Sequence, residues 1–464
     1  MPLFPRFRCT RAVVAGLLLA GAVPMLALTP PSPRKSPHAA TPPTVAALGL
    51  PPAAQAAPSP PPALPATPAR QVTLGQAIAL ALAFNPSLRA DAMAIPEAEA
   101  NQITASLRPN PVFTWDALFV PYFDPDKFNR AFLNNSSEFD ALVGYTFERG
   151  GKRQRRMQAA QEVTAVTRSD VADVRRRLGF QVAQQFVAVL LAKSTLAFAR
   201  RDLASFNQTI QVSRARYRAG QISEGDYLKI KLQRLQFQTD VSSAQLNLVQ
   251  ARASLRAAVG DRALARNFHV IGHLAFTPLH GAADDYRALA LKYRPDLRAA
   301  RQGITAARGQ YLLAKANGKR NLTVTFGYTH VSAANTGSLT FNMQIPVFNR
   351  NQGNIEHAAY ARLRARDMAD AARQLALMQV SRAYDAARTG ARVVQLYQSG
   401  YLKQARESRS ISSYAYTRGA VSLLNFLDAE RSYRSTELAY RRALAAYMLA
   451  REQLKEMAGT RQLP

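Results

Sequence analysis

RYRAGQISEGDYL (216–228) and AYTRGAVSLLNFL (415–427) are two versions of one phrase, 199 residues apart. Tyr217, Gly220, Ser223 and Leu228 stand opposite Tyr416, Gly419, Ser422 and Leu427 without a gap. The register runs on until Gly260 faces Gly459. A match held at one offset over this length marks a duplicated structural unit rather than a catalytic motif.

The prolines say what kind of unit. None of the 27 lies between Pro125 and Pro278, and none between Pro346 and the terminal Pro464. Proline costs about 3 kcal/mol inside a helix, so these two tracts, rich in Ala, Leu, Arg and Gln, predict very long helices. The first runs from about Gly151 to Ala219, on the order of 100 Å at 1.5 Å per residue. It turns at Gly220 and returns to Gly260. The second runs from Gly353 to Arg418, turns at Gly419 and ends at Gly459. The repeated phrase is therefore the tip of a helical hairpin: glycine takes the positive φ that ends one helix, and serine caps the next.

The return helices carry a seam. Phe426, Tyr433, Tyr440, Tyr447 and Leu454 repeat every seven residues, with Ala429, Thr436, Ala443, Ala450 and Met457 three places on. Val241, Leu248 and Leu255, against Ala244, Ala251 and Ala258, repeat the pattern in the first half. Large residues facing small ones at this period pack helices closely in a left-handed supercoil, so the aromatic stripe reads as core and not as a ligand site.

Between the helical tracts the period changes to two. NLTVTFGYTHVS (321–332) and SLTFNMQIPV (338–347) alternate apolar with polar residues, joined by AANTG as a turn. PVFTWDALFV (111–120) and EFDALVGYTF (138–147) are their counterparts, separated by a longer aromatic and polar loop. Such strands suit an outer-membrane barrel, and also a soluble sheet with one wet face. Export favours the barrel over the soluble sheet: Arg6, Arg8 and Arg11 precede AVVAGLLLAGAVPMLA (12–27), a basic start and a short apolar run that read as a secretory signal over 1–28. Cleavage fits either Ala27 or AAQAA (53–57). The single cysteine, Cys9, would leave with the signal, so neither a disulfide nor lipid acylation is expected. Residues 29–70 are dense in Pro and Ala and read as a disordered tether. No later stretch is expected to cross a membrane as a helix.

Four strands close no barrel alone, since the smallest have about eight, and open sheet edges are untenable in lipid. Several copies of the chain must therefore share one barrel. The expected layout is a first repeat over 71–260, a connector over 261–283, a second repeat over 284–459 and a tail over 460–464.

Other functions find little support. The formal charge of +30 is spread along the chain, with dense clusters only at KRQRR (152–156) and RRR (175–177). No nucleic-acid-binding signature accompanies it. There is no phosphate loop, nucleophile elbow, HExxH or CxxC, so neither an enzyme nor a cofactor is expected. His269, His273 and His280 lie in the connector and read as loop histidines rather than as a metal site.

The order of short helices, strand pair and long hairpin, twice over, resembles the outer membrane efflux family, the TolC-like ducts of Gram-negative tripartite pumps. VTLGQAIALALAFNPSL (72–88) and DYRALALKYRPDL (285–297) resemble the family's helix that opens each half; AGQISEGD (219–226) and RGAVSLLN (418–425) resemble its two periplasmic tips. FERGGKRQRRMQAA (147–160) and IPVFNRNQGNIEHAA (345–359) resemble the branch serving heavy-metal cation pumps. The resemblance implies a mainly α fold: a homotrimer with a twelve-stranded transmembrane β-barrel, continued by a periplasmic barrel of twelve helices. It implies as partners a periplasmic adaptor (membrane fusion) protein, an inner-membrane transporter of the resistance-nodulation-division type and outer-membrane lipid.

By position, Ala219, Gly220, Gln221, Arg418, Gly419 and Ala420 would contact the adaptor. At the pore entrance Tyr416 matches the family's latch tyrosine, but Val421 stands at the latch arginine's place. Of two acidic positions Asp428 is kept and Asn425 replaces the other; Asp226 matches an acid of the first tip. The alternative for both acids is a solvated residue near a helix start, favoured by the helix dipole. A duct for metal cations, a duct for drugs or type I protein secretion, and a soluble periplasmic coiled-coil scaffold all remain open on the residues alone.

Overall fold

The computed structural model describes residues 69–462. The expected signal, Cys9, nearly all of the tether and the last two residues lie outside the described residues. The first half comprises β1 (Ala69–Val72), α1 (Leu74–Phe84), α2 (Pro86–Ala92), α3 (Ala94–Ser106), β2 (Val112–Leu118), α4 (Arg130–Asn135), β3 (Glu138–Phe147), α5 (Lys152–Arg218) and α6 (Glu224–Val259). After β4 (Leu264–Val270) come α7 (Ala283–Tyr293), α8 (Pro295–Asn317), β5 (Leu322–Val331), β6 (Ala334–Asn342), α9 (Gln352–Leu396), α10 (Leu402–Thr417) and α11 (Leu423–Ala458). Two boundaries differ from expectation. The composition extends the tether to residue 70, but Ala69 and Arg70 already belong to β1. The connector reads as a loop, but β4 lies in it, pairing parallel with β1 through Gln71↔His269 and Val72↔Val270.

α5 is one unbroken helix of 67 residues. Its counterpart is not: the helix expected from Gly353 to Arg418 is interrupted by a π-turn at Tyr397–Tyr401, where Gly400 has φ 145. Serine followed by glycine in YQSGY weakens the helix locally, and only glycine adopts that φ without strain. One window of α5 also corrects the expectation about membrane helices. Its mean hydropathy of 1.5 over 18 residues is enough for a spanning helix, yet 56% of it is buried in the protein. Val182, Phe186, Val189 and Leu190 pack there with Ile78, Leu255 and Phe268 in the largest core. A second core joins Tyr286 and Ala290 of α7 to Val380, Ala383 and Leu454. Each hairpin is thus gripped at its base by the short helix that opens its half. Gly260 and Gly459 permit this closeness, since a Cβ would lie 3.0 Å from the Phe84 carbonyl oxygen or 2.8 Å from the Arg294 nitrogen.

The strands form an antiparallel sheet in the order β2-β3-β5-β6. Pairing of Phe113↔Val143, Val143↔Phe326 and Phe326↔Leu339 puts the large apolar residues on one face, and Phe113, Trp115, Phe326, Leu339 and Phe341 are all exposed. Thr114, Asp140, Thr325, Thr340 and Asn342 line the other face, which is concave. β6 departs from the reading of 338–347. It starts at Ala334, after a two-residue turn at Ser332–Ala333 with Ser332 at φ 54, and Met343–Val347 runs unpaired. Asn335, expected in the turn, accepts from the Tyr328 hydroxyl at 2.6 Å instead. That cross-strand bond pulls Asn-Thr-Gly into the ladder.

Candidate functional site

The two hairpin tips share one backbone geometry. Gln221 N donates to the Arg216 carbonyl and Gly220 N to that of Tyr217, each at 2.9 Å. Ala420 N donates to the Ala415 carbonyl at 2.9 Å and Gly419 N to that of Tyr416 at 3.0 Å. This double bond pattern closes a helix through a left-handed residue, and Gly220 (φ 70) and Gly419 (φ 80) supply it. Ser223 Oγ then accepts from Asp226 N at 3.1 Å and Ser422 Oγ from Asn425 N at 3.2 Å, capping α6 and α11. Ala219, Gly220, Gln221, Arg418, Gly419 and Ala420 are all exposed at these tips.

The side chains break the symmetry. Tyr217 stacks on Tyr227 and Tyr416 on Phe426, but Tyr217 is exposed while Tyr416 is buried. The first hairpin holds Tyr416: its hydroxyl lies 3.2 Å from Ser213 Oγ, and its carbonyl accepts from Arg216 Nη1 at 2.5 Å. The Arg216 guanidinium also covers its ring, 5.2 Å from the centroid. The partner cation of the tyrosine, absent at Val421, is therefore Arg216 from the other tip. Val421 packs into the apolar cluster around Phe206, Ile230, Phe237 and Phe426. Asp226 is half-buried beside Lys229 Nζ, 3.4 Å away. Asp428 and Asn425 are exposed, and Asp428 forms no ion pair among the described residues. Arg216→Ala is expected to remove a charge-assisted bond of about 1.5–3 kcal/mol and raise the conductance of the isolated channel in planar bilayers. Unchanged conductance would show that the Tyr416 contact does not hold the entrance.

Further from the tip lies a feature that sequence reasoning misses. Asp202, Glu430 and Glu437 are 4%, 2% and 2% exposed, and arginines surround them between α5, α6, α10 and α11. Arg434 Nε lies 2.8 Å from Asp202 Oδ2, and Arg434 also pairs with Asp240. Arg409 Nε donates to Glu430 Oε2 at 2.8 Å and its Nη2 to Ser205 Oγ at 2.7 Å. Arg406 and Arg441 both pair with Glu437. Burial, with the Glu430 carboxylate beside it, pushes the Asp202 carboxyl up to about 7, against the pull of Arg434 and Arg409. A signal exists: Glu430 and Glu437 sit four residues after Phe426 and Tyr433 and share their seven-residue spacing, as do Arg434 and Arg441. The expected companion row of Ala429, Thr436, Ala443 and Ala450 is only half-buried for the most part; the deep positions include Glu430, Glu437 and Leu444, because α11 turns that side toward α5 and α10. Of the connector histidines, His269 lies on β4, with Nδ1 3.4 Å from Arg252 Nη2. Among the described residues no three His, Cys, Asp or Glu side chains converge to hold a metal.

Comparison with known proteins agrees with this architecture. The family model described as outer membrane efflux protein matches residues 77–261 and 287–460. The cobalt-zinc-cadmium resistance protein CzcC of Cupriavidus metallidurans is 25% identical over 381 residues, 81% of this chain and 87% of that protein. A membrane protein from Pseudomonas aeruginosa superposes with TM-score 0.71 at 20% identity, over 83% of this chain and 92% of that one. The CusC channel gives 0.68 at 19%, over 83% and 92%. The open MtrE channel of Neisseria gonorrhoeae gives 0.67 at 18%, over 83% and 89%. These structural likenesses establish the fold, and the family match covers both repeats from the first helix to the end of each hairpin. The chain belongs to the outer membrane efflux protein family.

Proposed function

We propose that this chain is one third of the outer-membrane duct of a tripartite pump that exports heavy-metal cations. As a family member it is an outer-membrane efflux channel, with its sheet in the membrane and its hairpins in the periplasm. The observation that carries the trimer is the sheet: four strands, two open edges at β2 and β6, an exposed apolar face and a concave polar one. Three copies supply twelve strands, pair every edge and enclose the polar face. A second unpartnered seam supports the same assembly. Leu228, Leu232, Leu235, Leu246 and Val249 of α6 are all more than 45% exposed, at the three- and four-residue steps that seat a neighbouring helix.

In that assembly the six exposed tip residues meet a periplasmic adaptor, which couples the duct to an inner-membrane transporter of the resistance-nodulation-division type. Tyr416 and Val421 fasten the second tip inside, with Asp226, Asn425 and Asp428 at the entrance. Three copies of Asp428 around a narrow opening concentrate cations. The metal reading rests on the likeness to CzcC and on the two phrases at 147–160 and 345–359. A strain lacking this chain is expected to lose tolerance to cobalt, zinc and cadmium while keeping its tolerance to hydrophobic drugs. Drug sensitivity without metal sensitivity would overturn the substrate class, and a monomer in detergent would overturn the trimer.

A further inference from the structure

The charge cluster between the hairpins belongs to one half of the repeat only. At the 199-residue offset Asp202 corresponds to Tyr401, Glu430 to Lys231, Arg434 to Leu235 and Glu437 to Gln238. The duplicated fold does not need these groups. Two carboxyls from opposite hairpins, Asp202 of α5 and Glu430 of α11, are almost fully buried and neighbour each other closely enough for Glu430 to act on the Asp202 carboxyl, with Arg409 bridging Glu430 to Ser205 of α5. Glu430 Oε1 has no hydrogen-bond donor among the described residues, while the Asp202 Oδ2 oxygen is taken by Arg434 Nε at 2.8 Å. Two neighbouring carboxylates favour a proton between them, because like charges side by side in a poorly hydrated site raise each other's proton affinity.

We propose that the Asp202–Glu430 pair is a proton-operated clasp: a shared proton draws α5 to α11, and its loss parts the hairpins and opens the periplasmic end. Every packed element contributes to its setting. α6 presents Asp240; α10 presents Arg409, with Arg406 a turn away on Glu437; α11 presents Tyr433, Arg434 and Arg441 besides Glu430. Arg434 holds the Asp202 Oδ2 oxygen and Arg409 the Glu430 Oε2 oxygen, so the two remaining oxygens are left for the shared proton. Downstream of the pair, toward the tip, Phe206 stacks on Phe237 at 4.3 Å in the cluster that contains Tyr416. Separation at the clasp therefore reaches the tip through packed side chains. Gly400 lies next to the residue that corresponds to Asp202, and the helix is broken there before α10, where α5 runs unbroken.

The sign follows from the acid's raised range, from 3.8 to about 7. The parted form ionises at the lower value and the clasped form at the higher one. Opening therefore rises by up to about tenfold per pH unit between these limits and levels off above neutrality. The clasp rests on the reading of the hairpins as duct walls, and the test separates the two. The full chain, purified as channels, is titrated from acid to alkaline pH, recording planar-bilayer conductance and the infrared stretch of protonated carboxyls. The expected wild type loses a carboxyl band near neutrality as conductance rises. Asp202→Asn removes the band and leaves conductance low and flat with pH, and Glu430→Gln does the same should the first variant fail to fold. A wild-type profile in the variants, no titrating band, or a band that titrates without a change in conductance would overturn the clasp and leave the channel standing. Particles that conduct at no pH would instead overturn the duct.

Discussion

Leucine in place of Gly220 is expected to abolish export while trimers still assemble in normal yield. Gly220 has φ 70, and no atom stands within 4 Å of where a Cβ would project, so a Cβ at this exposed turn meets no other group of its own chain. Holding a non-glycine residue in the left-handed region costs roughly 1–2 kcal/mol, small beside the stability of a folded domain. What changes is the outer surface of the tip, where a branched apolar side chain replaces a bare backbone in the proposed adaptor contact. Gly419→Leu adds a second effect. Its Cβ comes within 3.3 Å of Arg216 Nη2, the group that holds Tyr416, so this variant should also alter the conductance of the isolated channel. Metal tolerance of a complemented deletion strain, native electrophoresis and bilayer recording together distinguish the two. Normal tolerance from both variants would remove the docking role of the tips.

The largest stability loss is expected at Arg434. Its guanidinium pairs with Asp202 and Asp240 and lies 4.2 Å from the ring centroid of Phe237. Arg434→Ala leaves two acids without their cation between helices, one of them almost fully buried. Removing one partner of a buried ion pair costs about 3–5 kcal/mol, most of it the penalty of the stranded charge. Neutralising the acids as well, in Arg434→Met combined with Asp202→Asn and Asp240→Asn, should restore most of the loss, since apolar and neutral replacements of a buried pair are often harmless. Denaturant titration of the purified channel measures both. A loss below about 1 kcal/mol for Arg434→Ala would place this pair among the weak, hydrated ones.

The part of the fold legible in the sequence is the part written in local chemistry. Missing prolines locate both hairpins, and Gly220 and Gly419 locate their ends, because one residue type solves the backbone problem at each. Alternation with period two locates the strands, since a pleat sends neighbours to opposite faces. β6 starts four residues before the expected strand because Asn-Thr-Gly is a turn signal by itself, and only the partner strand, with Tyr328, makes it ladder. The break at Gly400 is hidden among the proline-free residues, where a single glycine weighs little. At the tips, position in the repeat is enough to find the exposed residues. It does not find Arg216, which reaches Tyr416 across 200 residues of chain.

By itself the sequence determined a duplicated strand-pair-and-hairpin protein whose four strands demand further copies, because period, proline and glycine act within a few residues. The tertiary structure decided which acids are buried, which arginines answer them and which tip is locked to the other. Those outcomes depend on helices that meet only after folding, and the energy of a charge is set by the water and partners around it rather than by its neighbours in the chain.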